Sequence, residues 1–216
     1  MSSLILSTVV LLSEKPKTDI FSFTVVHYNY FIKYKRGKNI IMKFLVVIDM
    51  QNDFIISALA NKHAEEITSD IAEYVKTFEG IVIFTRDTHG SDYLETMEGK
   101  NLPVPHCIVG TDGWEIHKDL LAACEGKEQN CFAFNKPTFG YASELAKFIR
   151  EFNQPITEIE FCGTCTDICV ISNVLGLKEH MSETKISVHK DMCAGLTEEK
   201  HNAAIEVMRS CQVNII

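Results

Sequence analysis

Apolar and polar positions along this chain fall into two periods that take turns. Residues 43–49 (K-F-L-V-V-I-D) are continuously apolar and end in a carboxylate, the pattern of a strand covered on both faces of a parallel sheet. Ile67, Ile71, Tyr74, Val75 and Phe78 then recur at helical spacing, and Gly80 stops them. Residues 81–85 read as a second strand, 114–123 as a short helix, 131–135 as a third strand, and 142–152 as a helix with Leu145, Phe148, Ile149 and Phe152 inward. The apolar run 156–162 breaks at Gly163 and passes into a second helical pattern, Ile168, Ile171 and Leu175 with Val170, Val174 and Leu177. Residues 185–190, 198–210 and 212–216 follow as strand, helix and strand. Six strands alternating with helices predict an α/β fold of three layers, α/β/α, with a six-stranded parallel sheet joined by right-handed crossovers. Between the second strand and the short helix, residues 86–113 form a long polar loop with two histidines and several acids, and a loop of that length in a compact domain is usually functional.

Residues 1–41 stand apart from this pattern. Six Lys/Arg (Lys15, Lys17, Lys33, Lys35, Arg36, Lys38) against Glu14 and Asp19 give them a balance of +4 and leave −12 for the remainder of a chain whose total is −8. Their apolar stretch 4–12 has no basic residue before it and no clear cleavage site after it, unlike a secretory signal. Met42 stands directly before the first clean strand. The reading is an N-terminal extension, residues 1–41, outside the core of a working domain at 42–216; a short extra strand or an oligomer arm is the competing account.

With 216 residues, 46% hydrophobic and 23% charged, the chain can bury one full core. The net negative charge argues against nucleic acid or an anionic membrane surface as a partner, since both need a basic face. No run approaches the roughly 20 apolar residues of a membrane span. The eight cysteines lie at strand ends and helix faces rather than in a loop-rich framework, so they read as reduced thiols of a cytoplasmic protein.

Ligands of an open parallel sheet bind beyond the carboxyl ends of its strands. Asp49, Asp87, Lys136 and Cys169 all fall at or just past such ends. Taken singly they read as a loop cap, a turn residue, a surface charge and a small buried hydrophobe; together they read as a site. Cys169 falls in the first turn of a helix, where unpaired N–H groups and the positive dipole end are expected to lower a thiol's pKa. A strand-end carboxylate can serve that thiol as base, and a lysine beside both favours their anions. A reading from another class takes Cys162-x-x-Cys165-x-x-x-Cys169 as thiolate ligands of a zinc or iron–sulfur centre, although the spacing fits no common cluster pattern. A third takes the chain as a catalytically silent scaffold.

Three segments, V-V-I-D-M-Q-N-D-F, F-N-K-P-T-F-G and G-T-C-T-D-I-C-V, resemble in content, order and spacing the signatures of the isochorismatase-like cysteine hydrolases, the superfamily that includes nicotinamidases. The likeness spans 42–216 and implies the Rossmann-like α/β/α fold of that family. By position it implies Asp49 as general base, Lys136 as the lysine of a catalytic triad and Cys169 as nucleophile. It implies a cis peptide between Thr164 and Cys165, and an oxyanion hole made by the N–H groups of Cys165 and Cys169. Asp87, His89 and His106 resemble the divalent-metal ligands of nicotinamidases, with Glu98, or Glu95, as the fourth, so zinc, iron or manganese and no organic cofactor is expected. Phe54, Trp114, Phe139, Tyr141 and Ile168 are candidate pocket residues. The expected activity is cleavage of a small-molecule amide through a thioester; the alternative within the family is a metal-independent hydrolase of an N-carbamoyl or ureido compound. Where some nicotinamidases carry an aromatic residue three positions before the metal histidine, this chain has Pro103, which points away from nicotinamide itself. Relatives of this kind are usually dimers or tetramers, so a homo-oligomer is expected.

Overall fold

The computed structural model describes residues 9–11 and 41–216. Among them are seven strands: β1 (Val9–Leu11), β2 (Met42–Ile48), β3 (Ile81–Asp87), β4 (Cys131–Lys136), β5 (Ile156–Thr164), β6 (Ile186–Ala194) and β7 (Asn214–Ile215). The helices are α1 (Asn52–Ile55), α2 (Lys62–Thr77), α3 (Met97–Asn101), α4 (Lys118–Ala122), α5 (Ala142–Glu151), α6 (Ile171–His180) and α7 (Glu198–Ser210). One sheet holds all seven strands in the order β1-β4-β3-β2-β5-β6-β7. The six strands β2 to β7 are parallel, as expected, and β1 pairs antiparallel with the outer edge of β4, Val9 opposite Phe134 and Leu11 opposite Phe132. Three residues of the segment read as an extension are therefore an edge strand; residues 12–40, including the rest of the proposed arm, lie outside the described residues.

Side chains alternate across a strand, so the continuous apolar run of β2 supplies two cores at once. Phe44, Val46 and Ile48 face Leu145, Phe148 and Ile149 of α5, Val174 and Leu177 of α6, and Ile205 and Met208 of α7. Leu45 and Val47 face Ala64, Ile71 and Val75 of α2 and Leu120 of α4. Helices thus cover both sides of the sheet. None among the described residues is long and apolar enough to cross a membrane.

Chain order reverses at β2: β3 and β4 extend to one side of it and β5 to β7 to the other. Such a switch point opens a crevice at the carboxyl ends of the central strands. The expected helix 114–123 is shorter, because Asp112–Trp114 forms a 3-10 turn and only Lys118–Ala122 is α-helical. The expected loop 86–113 begins inside β3 and carries a 3-10 turn, Tyr93–Glu95, and then α3. Thr96 starts α3 by accepting the Gly99 N–H at 3.0 Å, the capping bond that its residue type favours.

All six parallel strands begin at or after Met42, and β1 adds only to one outer edge. A chain starting at Met42 is expected to fold and to keep the oligomeric state of the full chain. Circular dichroism and size-exclusion chromatography check this; an insoluble or misassembled product would make residues 1–41 part of the core.

Candidate active site

Asp49 follows β2 directly, with φ +48°, a left-handed turn that Asp tolerates better than most residues. The turn folds its carboxylate back under the strand ends, where it is fully buried. Thr85 of β3 donates its hydroxyl to Asp49 Oδ1 at 2.7 Å and accepts the Asp49 N–H at 3.2 Å. Asp49 Oδ2 lies 2.7 Å from Lys136 Nζ but off the alignment of a hydrogen bond, so this buried oxygen retains an open acceptor position.

Lys136 closes β4, and the β3–β4 register sets it beside Asp87. Its side chain has no solvent exposure. Besides Asp49, the ammonium meets Asp87 Oδ1 at 3.3 Å, the Thr138 carbonyl at 3.2 Å and Cys169 Sγ at 3.5 Å. Burial works against its charge, but Asp49, Cys169 and Asp87 outweigh it and hold Lys136 firmly protonated.

Cys169 arrives from the other side of β2. β5 runs beside β2 as far as Gly163, whose φ of +116° and contact with the Ile48 backbone leave no room for a Cβ. The Thr164–Cys165 peptide is cis. Residues Thr166–Val170 then make a π-helical turn before α6 begins. The Cys165 carbonyl accepts from the N–H groups of Ile168 and Val170, each at 3.0 Å, the second a π-type bond that spans Cys169. The turn is fixed from outside by Asn173, a fully buried amide. Its Nδ2 donates to the carbonyls of Cys169 (2.8 Å) and Phe139 (3.1 Å), and its Oδ1 accepts the Tyr141 N–H (2.7 Å), which ties the segment after Lys136 to the cysteine turn.

The thiol does not titrate as its place at a helix start suggests. Burial pushes Cys169 well above its ordinary value, the Asp49 charge adds to this, and the opposing pull of Lys136 does not prevail. Burial, helped by Asp87, also raises Asp49 against the pull of Lys136 and Thr85. These shifts favour a neutral thiol beside Asp49 over a preformed thiolate.

Asp87 joins this group to a second one. Its Oδ1 faces Lys136, while its Oδ2 meets His89 Nε2 at 2.9 Å and His106 Nε2 at 3.4 Å. Glu98, from α3, places Oε1 at 3.7 Å from His89 and 3.9 Å from His106. One ligand atom from each of the four lies within 4.8 Å of all the others, whereas Glu95 is not among them. The Val104 carbonyl can only accept, so at 2.9 Å it takes the Nδ1 proton of His106 and leaves Nε2 facing the cluster. Burial opposes the Asp87 charge, yet hydrogen bonds from both histidines and the charge of Lys136 hold it well below the carboxylate range. Burial and the charge of Asp87 raise Glu98, and the carboxylates raise His106 against its burial. The cluster is short of positive charge, and two carboxylates with two imidazoles are a donor set that fits zinc, iron or manganese.

Of the aromatic and aliphatic candidates, Phe54 sets its ring edge-to-face on His106, with centroids 5.6 Å apart. Trp114 is buried, with Arg86 stacked 3.8 Å over its ring and its Nε1 donating to Thr88 Oγ1 at 2.8 Å. Tyr141 packs toward Phe134, Ile168 lies against the core beside Cys169, and Phe139 is 47% exposed. The three cysteines of the cluster reading do not converge, since Cys162 packs with Leu45 and Val47 on one face of the sheet and Cys169 with Phe44 and Ile48 on the other. Residues outside the sequence candidates complete the site: Thr85, Asn173, Tyr93, whose ring packs on both His89 and His106, and Gln51, which holds the Asp87 backbone.

The family model of the isochorismatase domain matches residues 43–216. The chain belongs to the isochorismatase family. Among its relatives is the nicotinamidase/pyrazinamidase of Mycobacterium tuberculosis, 24% identical over 187 residues that cover 81% of this chain and 98% of that protein. Of solved structures, this member of the family is similar to the nicotinamidase/pyrazinamidase of Bacillus subtilis (26% identity, TM-score 0.71, 81% of this chain and 99% of that one). It is similar also to the pyrazinamidase/nicotinamidase of Streptococcus mutans (26% identity, TM-score 0.72, 81% and 99%). A pyrazinamidase of Pyrococcus horikoshii in complex with zinc shares the fold (24% identity, TM-score 0.67, 81% and 98%).

Proposed function

We propose that this protein is a cytoplasmic cysteine hydrolase that cleaves the C–N bond of a small-molecule amide, with Cys169 as nucleophile, Asp49 as general base and acid, and Lys136 as their electrostatic partner. Nicotinamidase and pyrazinamidase relatives support amide hydrolysis. The observation that carries the reading is Lys136 Nζ standing 2.7 Å from Asp49 Oδ2 and 3.5 Å from Cys169 Sγ, with all three residues buried. Three strands contribute them, and a buried lysine shared by a carboxylate and a thiol has no evident packing role.

The neutral thiol gives its proton to the open oxygen of Asp49 as Sγ bonds to the amide carbon. Charge that would be costly on a free thiolate moves directly onto the carbonyl oxygen. The N–H groups of Cys165 and Cys169, which stand at the cis peptide and in the π turn after β5, are the proposed donors to that oxyanion. When the tetrahedral intermediate collapses, the C–N bond breaks and Asp49 returns the proton to the leaving ammonia or amine. Water, deprotonated by Asp49, then attacks the thioester and releases the carboxylic acid and the thiol. Lys136 stays protonated throughout and balances whichever neighbour carries the negative charge.

Asp87, His89, Glu98 and His106 are the proposed ligands of one divalent ion, which when bound would supply a Lewis-acidic point for a lone pair of the substrate. Phe54 and Tyr93 border the histidines and give the same region flat apolar surface, suited to a planar amide.

An ammonia-release screen over small amides and ureido acids, with and without zinc, manganese and iron, tests the reaction class. Cys169→Ala is expected to lose turnover with an unchanged circular dichroism spectrum, and Cys169→Ser to lose nearly all of it; normal ammonia release from Cys169→Ala would overturn the mechanism.

The raised Asp49 carboxyl sets the sign of the acid limb. A raised pKa means protonation at higher pH, so kcat/KM should fall as pH drops through a value above the ordinary 3.8. A limb at or below 3.8 would assign the base elsewhere.

Chelation by a strong chelator is expected to raise KM for a ring-nitrogen amide more than it lowers kcat, because a binding point common to ground and transition states is lost. An equal fall in kcat and kcat/KM would place the ion's contribution in the transition state instead.

A further inference from the structure

We infer that Gln51 is the positioning residue of the four-residue cluster: its side-chain amide takes the place of a missing strand neighbour and fixes Asp87 where one carboxylate can serve both Lys136 and the two histidines. This rests on the reading of Asp87, His89, Glu98 and His106 as metal ligands.

The backbone of β2 pairs with β3 only as far as Val47 opposite Phe84. Asp49 then turns away with its positive φ, so at the level of Asp87 the ladder has no partner on that side. Gln51 fills the gap. Its Oε1 accepts the Asp87 N–H at 2.7 Å and its Nε2 donates to the Asp87 carbonyl at 2.9 Å, the two-way exchange that a peptide group makes in a sheet. The second Nε2 proton goes to the Trp114 carbonyl at 2.8 Å. All three bonds are buried, and Gln51 has no solvent exposure. The opposite side of Asp87 is fixed by β4, through the register with Lys136 and the bond from the Thr88 N–H to the Lys136 carbonyl at 3.0 Å.

Gln51 is held as firmly as it holds. Its backbone bridges to Ile116, and on either side the His117 N–H bonds to the Met50 carbonyl (2.9 Å) and the Asn52 N–H to the Glu115 carbonyl (3.0 Å). Two residues on, Asp53 Oδ2 accepts the N–H of Cys107, the neighbour of His106, at 2.7 Å. A single loop therefore offers the base at 49, clamps one ligand's backbone from 51 and supports another ligand's segment from 53. Groups that orient metal ligands typically change affinity by about 10- to 100-fold when removed.

The test is zinc binding to chelator-stripped protein, read by competition with a chromophoric chelator, alongside the rate of Cys169 alkylation by iodoacetamide. Gln51→Met keeps length and removes all three bonds; Gln51→Glu keeps the bond from the Asp87 N–H and removes the two donated ones. Zinc affinity is expected to fall between about 10- and 100-fold in Gln51→Met and less in Gln51→Glu, with Cys169 alkylation within about twofold of wild type. Ile71→Ala, which destabilises the core under α2, should lower the melting temperature without changing zinc affinity, so stability loss alone does not mimic the effect. Wild-type zinc affinity in both Gln51 variants would overturn the inference and leave the metal reading standing, as would equal losses of zinc affinity and thiol alkylation, the mark of general disorder. A wild-type protein that takes up neither zinc, manganese nor iron would overturn the metal reading and the inference with it.

Discussion

The buried ammonium of Lys136 is the charge on which the site depends. Three groups that carry or can carry negative charge, Asp49, Asp87 and Cys169, come from three different strand ends and would repel one another without it. Removing one partner of a buried ion pair leaves the rest uncompensated, at about 3–5 kcal/mol. One cation does not neutralise three anions, however. The protein resolves the shortfall by keeping Asp87 ionised and leaving a proton on the thiol, with Asp49 raised but next to it. The proton that the proposed mechanism moves thus rests on the thiol before any substrate arrives.

Asp87 gives this arrangement its reach. With one oxygen on the lysine and the other on the histidines, it makes the cysteine group and the four-residue cluster a single electrostatic unit across β3 and β4. The sheet's register supplies half of that precision, since Asp87 and Lys136 are direct partners. Buried amides supply the rest: Gln51 beside Asp87 and Asn173 beside Cys169 each make three bonds to backbone groups, five of the six on other segments. Uncharged clamps suit this region, because a further charge would have shifted every group around Lys136.

The sheet, its parallel strands and the strand ends that converge were legible in the sequence because continuous apolar runs ending in reactive residues leave few alternatives. Asp49, Asp87, Lys136 and Cys169 stood out by residue type, and their roles rest on the proposed chemistry. Glu98 could be separated from Glu95 only by three-dimensional distance. Thr85 and Asn173 gave no signal, and Gln51 stood within V-V-I-D-M-Q-N-D-F without a role, since a neutral polar residue near a strand end looks the same whether it clamps a backbone or faces water. The direction of the Cys169 shift was not legible for a related reason: the helix start is local and visible in sequence, while burial among Asp49, Asp87 and the core is not. The 3-10 turns around residues 93–114 are too short to show a period, and the extra strand, open in the sequence only as an alternative to an extension, is three edge residues that need only a free neighbour.

The π turn at Thr166–Val170 also sets the rotational phase of everything after it. An α-helix advances about 100° per residue, so one residue more or fewer between Cys165 and Ile171 would swing the following side chains by that angle about the axis. Val174 and Leu177 could be returned to the core by such a change only if Cys169 left its place beside Lys136, and the reverse holds as well. The wide turn lets the helix satisfy two masters with different angular demands, the apolar face of the sheet and the buried charge at its edge. For that reason insertions and deletions, which surface loops elsewhere in the chain can absorb, have no neutral position within these five residues.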